Sequence, residues 1–277
     1  MYLRPTDLSQ ALSALKGRRF SVLAGGTDFY PARVGRPCAD DVLDITGLGG
    51  LRGVREEAAA YRIGALTTWS EVLATPLPSL FDGLKLAARE IGGPQVQNAG
   101  TVAGNLCNGS PAADGIPVLL ALEAEVELLA QDGGRRLPLA AFVTGGRHTA
   151  RRADELVTAI LIPRRGANAR STFCKLGARR YLVISIAMVA ATLEAGADGT
   201  LVRAAVAVGA CSEVAQRLAA LETKLLGKPR TPALANLVRP EDLAVLTPIS
   251  DIRGSAEYRR EAAMILVQRV LAELGRE

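Results

Sequence analysis

Apolar residues recur at helical spacing over residues 8–15, and Thr6 or Asp7 can cap the helix they predict. Short apolar runs at 20–23, 42–45 and 60–63 predict strands. Residues 67–74 predict a short helix that Thr67 or Thr68 caps, and 83–91 a second one that Gly92-Gly93-Pro94 ends. A helix over 117–122 starts near Pro117, a tolerated place for proline. The strand 126–130 leads into Asp132-Gly133-Gly134, a hairpin signal, and the strand 156–162 stops at Pro163. The basic, glycine-containing stretch 164–169 reads as a domain boundary. Beyond it, 172–176, 184–194 and 202–210 predict strands, with a turn at 196–199. Periodicity leaves 184–193 open between strand and helix, and its β-branched residues favour strand. Residues 214–226 and 233–237 predict helices, and 257–274 a long amphipathic one.

Two glycine-containing stretches interrupt this pattern. They are Leu23-Ala24-Gly25-Gly26-Thr27-Asp28 and Asn98-Ala99-Gly100-Thr101-Val102-Ala103-Gly104-Asn105. Each reads as a loop after apolar sequence and before a helix. Glycine there lets the backbone reach positive φ and approach a ligand, and consecutive N–H groups can then hold an anion without Lys or Arg. Neither stretch carries the Gly-Lys-Ser/Thr of a Walker loop or the Gly-x-Gly-x-x-Gly fingerprint of a nicotinamide-binding unit. Two such loops point to one elongated, phosphate-bearing cofactor held at two places. An ordinary pair of tight turns is the plain alternative.

Together these segments resemble the FAD-binding medium subunit of the molybdenum hydroxylases, the xanthine dehydrogenase and carbon monoxide dehydrogenase family. The resemblance rests on Ala24 to Asp28, Thr101 to Asn105 and the run Gly109-Ser110-Pro111-Ala112-Ala113-Asp114. It extends through Ile63-Gly64-Ala65-Leu66-Thr67-Thr68, Phe173-Cys174-Lys175-Leu176-Gly177 and Ser250-Asp251-Ile252-Arg253-Gly254-Ser255-Ala256-Glu257-Tyr258-Arg259, nearly end to end. It implies an α+β fold: a two-subdomain α/β FAD-binding domain of the PCMH/VAO-like kind over 1–167, then an α+β C-terminal domain with a small antiparallel sheet over 168–277.

The resemblance also implies roles. Leu23, Ala24, Gly25, Gly26, Thr27, Asp28, Phe29 and Tyr30 would wrap the FAD pyrophosphate. Thr101, Val102, Ala103, Gly104 and Asn105 would lie along the cofactor, with Gly104 and Asn105 towards the flavin. Asp114 would accept from ribityl or ribose hydroxyls, or cap the helix that follows. Val157 would make an apolar contact, and Lys175 would favour a reduced, anionic flavin; a solvated strand lysine is the alternative. FAD would be held non-covalently, since the sequence shows no His or Cys at an evident attachment point. A molybdenum-cofactor large subunit and a [2Fe–2S] small subunit would be partners, as a dimer of heterotrimers. Electrons would pass from the clusters through FAD to an external acceptor. Two departures from the family pattern stand out: Ala103 where a glycine is usual, and Ile91 and Val183 where branches of the family place an aromatic ring at the flavin. Ala103 requires a φ that is not strongly positive.

Composition narrows the remaining choices. Of 277 residues, 49% are hydrophobic, enough for a sizeable core, while only 4% are aromatic. A net charge of +5, with a basic run from Arg147 to Arg152, reads as a solvated face, an acidic partner's dock or an attractor of anionic acceptors. No nucleic-acid motif accompanies it. Cys38, Cys107, Cys174 and Cys211 are far apart and form no Cys-x-x-Cys, so they read as reduced, mostly buried thiols of a cytoplasmic protein rather than metal ligands. No apolar run is long enough to span a membrane. Trp69 reads as a packing residue, His148 as a loop residue, and Glu123, Glu125 and Glu127 as surface charge. With no nucleophile–base set, a self-contained FAD-dependent oxidoreductase and a non-catalytic assembly protein with a degenerate flavin site are the rival readings.

Overall fold

Asp7 caps the first helix, Leu8–Gly17, its carboxylate accepting from the N–H groups of Ser9 and Gln10. This helix covers a parallel sheet in which Val42–Asp44 lies between Tyr2–Leu3 and Ser21–Leu23 in the computed structural model, which describes residues 1–35 and 37–276. Ala11 and Leu15 of the helix bury against Phe20, Leu43 and Ile45. The parallel order ends the strand Ser21–Leu23 at the sheet's carboxyl edge, so residues 24–29 leave the sheet as a half-buried turn.

A second unit holds five antiparallel strands in the order Val54–Glu56, Ala60–Gly64, Leu156–Pro163, Glu125–Ala130, Gly133–Pro138. Short helices belong to it, among them Trp69–Ala74, Asp82–Glu90, Pro94–Ala99, Val102–Asn108, Gly115–Ala121 and Leu139–Phe142. Thr68 closes a capping box with Glu71, and Trp69 is buried beside it. A bulge between Val157 and Ala159 interrupts the register with Glu125–Ala130, and Leu156 beside it joins the core of the first unit.

The third unit is antiparallel, with Ala169–Leu176, Ala187–Ala195, Leu201–Gly209 and Gln216–Arg217 in order. Alternation divides the strand Ala187–Ala195 between two cores. Val189, Ala191 and Leu193 face the helix Ala256–Leu274, while Met188 and Ala190 join the core of the second unit. The helices Asp82–Glu90 and Gly115–Ala121 pack on that side of the sheet, and Ser171 accepts from the N–H of Gly83 across the seam at 2.9 Å.

Several expectations need correction. Pro94 does not only end a helix; it opens another at once, because proline suits the first helical position. The second glycine stretch is not a loop throughout: from Val102 it is helical, capped by Thr101. Ala103 sits inside that helix, so it needs no positive φ. Residues 214–226 divide into the strand Gln216–Arg217 and the helix Ala219–Leu225, since Gln216–Arg217 pairs with Leu201–Gly209. Asp114 caps nothing with its side chain. Cys38 and Cys107 are exposed, leaving Cys211 as the buried thiol and Cys174 half-buried. Glu127 is no surface charge: Arg62 and Thr158 bind its carboxylate, and despite burial they hold it at about 2. His148 lies in a two-residue strand, its Nδ1 on the carbonyl of Gly146 at 2.8 Å.

Phe81 is wholly buried at the seam, edge-on to Tyr61 with ring centroids 4.9 Å apart. Phe81→Ala should lower stability by about 3–5 kcal/mol, read as a lower urea midpoint at unchanged m value. Glu155 pins the loop that precedes the strand Leu156–Pro163. Its carboxylate, only 1% exposed, accepts from Arg135 Nε at 2.7 Å and the Arg152 N–H at 2.7 Å. Burial raises its pKa, but these donors outweigh it and bring the group to about 2. A depressed carboxyl stabilises the fold above the unfolded value near ~4.3, and that contribution fades as pH falls towards the folded value. Glu155→Gln should therefore be less stable by about 1–3 kcal/mol at neutral pH. The gap should close on acidification, as urea titrations across that range would show.

Candidate functional site

A cleft of about 840 Å³ opens between the parallel sheet and the helices of the second unit. Residues 24–29 form one wall. Tyr30 donates its N–H to the carbonyl of Gly26 at 3.1 Å and Ala32 to that of Asp28 at 3.2 Å, which folds the turn tightly. Gly26 stands at φ +72°, open to glycine and strained for other residues. Among the described residues, the N–H groups of residues 25–29 meet no acceptor. Consecutive free donors of this kind make an anion cradle. Arg33 stacks 3.7 Å above the Phe29 ring and donates to the Phe29 carbonyl, which fixes the far side of the turn.

The helix Val102–Asn108 forms the facing wall. Thr101 caps it, its Oγ1 accepting from the N–H of Gly104 at 2.9 Å. Two bonds hold its start against the second unit: Val102 N–H to the carbonyl of Thr67 at 3.0 Å, and Trp69 N–H to that of Gly100 at 3.2 Å. The two walls touch through backbone. A Cβ on Gly25 would stand 1.9 Å from the Ala99 carbonyl oxygen, so no side chain fits there. Gly104 is similarly closed, with a Cβ position 2.7 Å from Thr101 Oγ1. Gly25 is thus required by contact between the walls, and Gly104 by the cap of its own helix.

The residues present fit FAD. The cradle offers donors for a pyrophosphate, and the cleft-lining Asn105 has a buried carboxamide oxygen without a donor among the described residues. Such an orphaned acceptor is costly unless something satisfies it.

Ala24, Gly25, Gly26, Thr27, Asp28, Phe29, Thr101, Ala103, Gly104, Asn105 and Val157 line the cleft. Leu23 and Val102 belong to the buried core, and Tyr30 is exposed. Asp114 and Lys175 do not join the lining; they meet each other, Nζ to Oδ2, at 2.6 Å. Ser185 donates to the other Asp114 oxygen at 2.6 Å. Burial pushes the Asp114 carboxyl up, against the pull of Lys175 and Ser185. Lys175 is thus no solvated strand lysine; 5% of its side chain is exposed.

Ile91, marked in the sequence as the place of a ring in some relatives, lines the cleft, as do residues the sequence did not single out as cofactor contacts: Arg33, Trp69, Cys107, Asn108, Arg147 and Arg151. Cys107 and Asn108 follow Ala103 and Gly104 by four residues, one helical turn on. Reading the stretch as helix rather than loop would have found them. The Cys107 thiol opens into a walled recess, where desolvation takes its pKa to about 11 against the pull of Arg151. It is protonated at neutral pH and is a poor nucleophile.

Residues 1–165 match the family model described as the FAD binding domain in molybdopterin dehydrogenase, and residues 172–274 that of the CO dehydrogenase flavoprotein C-terminal domain. The chain is 31% identical over 280 residues to the nicotine 6-hydroxylase medium subunit of Paenarthrobacter nicotinovorans, covering 99% of this chain and 96% of that protein. The nicotinate dehydrogenase FAD-subunit of Eubacterium barkeri is 30% identical over 261 residues, 92% of this chain and 88% of that one. In three dimensions the chain is similar to carbon monoxide dehydrogenase from Hydrogenophaga pseudoflava, with a TM-score of 0.86 at 29% identity, over 99% of this chain and 96% of that chain. The chain belongs to the FAD-binding medium subunits of the molybdenum hydroxylases, and is a flavoprotein subunit of a multi-subunit oxidoreductase.

Proposed function

We propose that the chain carries electrons from a [2Fe–2S] partner subunit through non-covalently held FAD to an external acceptor, while a molybdenum-cofactor large subunit hydroxylates the substrate. The observation that carries this reading is the cleft itself: a cradle of free backbone donors, and few groups for acid–base work. Among the described residues its ionisable lining consists of Asp28, Arg33, Cys107, Arg147 and Arg151, with no histidine or glutamate. The flavin supplies the redox chemistry when bound. The chain's part is to grip the pyrophosphate with residues 25–29, to lay the cofactor along the helix Val102–Asn108, and to hold the second and third units together beside it through Asp114, Lys175 and Ser185. Residues 1–167 do the binding and 168–277 complete the subunit. In this reading the cluster and the molybdenum cofactor sit on the partner subunits, in keeping with the family to which the chain belongs. Assembly as a dimer of heterotrimers in the cytoplasm completes the proposal; no described helix is long and apolar enough to cross a membrane.

Gly26→Val should abolish FAD retention on gel filtration, because a β-branched residue there meets the Tyr30 ring and opposes the positive φ that shapes the cradle. Unchanged retention would remove this turn from the site. The purified chain should show flavin absorbance, release FAD on denaturation and filtration, and resist bleaching by purines or aldehydes. Adding the molybdenum and [2Fe–2S] subunits should restore bleaching by the complex's substrate. Turnover of an organic substrate by the chain alone would replace this reading with a self-contained flavoenzyme.

A further inference from the structure

The basic run from Arg147 to Arg152 divides in the structure. Arg152 is committed to Glu155, with a guanidinium–carboxylate contact of 2.8 Å. Arg147 and Arg151 instead reach the cleft lining. Their hydrogen-bond acceptors are neutral: Arg147 donates to Asn108 Oδ1 at 2.8 Å, and Arg151 to the carbonyls of Arg152 and Glu155 at 3.1 and 2.7 Å. Neither has a carboxylate partner among the described residues. Arg147 is held at φ +61°, an unfavourable place for a residue with a side chain, and its N–H bond to the Gly109 carbonyl at 2.8 Å fixes it there. Arg151 lies near enough to Cys107 to pull on its thiol.

The negative charge of FAD lies in one pyrophosphate. The free N–H groups of residues 25–29 stand at the Thr101 end of the helix Val102–Asn108, where a Cβ on Gly100 would lie 3.4 Å from Thr27 Oγ1. Arg147 is tied to Asn108 at the opposite end, about 10 Å away at ~1.5 Å per residue. A single pyrophosphate does not span both places. Two guanidiniums without a carboxylate partner, at the end of the cleft away from Asp28 and the residue 25–29 cradle, therefore call for a different anion, and a local excess of positive charge concentrates such a ligand.

We propose that Arg147 and Arg151 form a second anion site in the cleft, which takes the negatively charged group of the acceptor that reoxidises the flavin. This rests on the electron-transfer reading above. The reduced flavin gives up two electrons and two protons. With ferricyanide, two ions each take one electron and become ferrocyanide, and the protons pass to solvent.

The test uses the FAD-loaded chain, photoreduced and mixed with ferricyanide, a trianion, or with neutral benzoquinone. At low salt, the Arg147→Gln/Arg151→Gln protein should react with ferricyanide about tenfold more slowly than the parent. The difference should shrink as salt rises. Benzoquinone should reoxidise both proteins alike. Hexacyanocobaltate, a redox-inert trianion of the same shape, should bind the oxidised, FAD-loaded parent in calorimetry and not the double variant. Arg151→Lys, which keeps the charge, should keep the ferricyanide rate. Equal ferricyanide rates, equal hexacyanocobaltate binding, or a Lys variant slowed as far as the Gln variant would overturn the proposal. So would loss of FAD from the double variant, because the pair would then hold the flavin nucleotide itself. Failure of the electron-transfer reading looks different: a parent chain that retains no flavin, or bound flavin that passes electrons to neither acceptor.

Discussion

The site depends on one close backbone contact, that of Gly25 against the carbonyl of Ala99. It joins the turn after the parallel sheet to the start of the helix Val102–Asn108. Because the contact admits no Cβ, the two walls are held at a fixed spacing by backbone rather than by side chains that could change rotamer. The rest of the cleft follows from it. Thr67 and Trp69 fix the helix start from one side, Arg33 and Phe29 fix the turn from the other, and the free N–H groups of residues 25–29 are left facing the space between.

A second constraint joins the first two units to the third. Helices of the second unit pack directly on one face of the sheet that contains Ala187–Ala195, and polar groups find partners across the seam. Ser171 satisfies Gly83, and Lys175 with Ser185 satisfies the buried carboxylate of Asp114. A buried charge of this kind persists only with its partners in place. The pair therefore couples the third unit to the segment that follows the cleft helix.

Charge is distributed unevenly around this frame. Glu127 and Glu155 are each held ionised by arginines and fix the central strands and the loop before them. Arg147 and Arg151 of the cleft have no such carboxylate partner among the described residues. A chain with net charge +5 thus concentrates part of its excess where a cofactor and its reaction partners meet. Catalytic acids and bases are scarce in the same place, which suits a subunit whose cofactor, rather than its side chains, performs the chemistry.

Much of this was legible in the sequence because it is local. Capping by Asp7 and Thr68, the hairpin at 132–134, the proline stop at 163 and the long helix Ala256–Leu274 all arise from nearest neighbours along the chain. The family followed from short segments read together, and with it the first glycine turn as part of a cleft. What the tertiary structure alone decided involves residues distant in sequence. The sequence leaves Lys175 open between a flavin-side charge and a solvated strand lysine, yet Asp114, sixty-one positions away, draws it inside. Glu127 looked like surface charge until Arg62 and Thr158 reached it across neighbouring strands. Glycine at 103's neighbours suggested a loop, but the bond from Val102 to Thr67 and the cap at Thr101 made it a helix and turned Cys107 and Asn108 into the cleft. Sequence fixes what each residue can do with its neighbours; burial and charge pairing depend on which distant groups arrive, and only the folded chain brings them together.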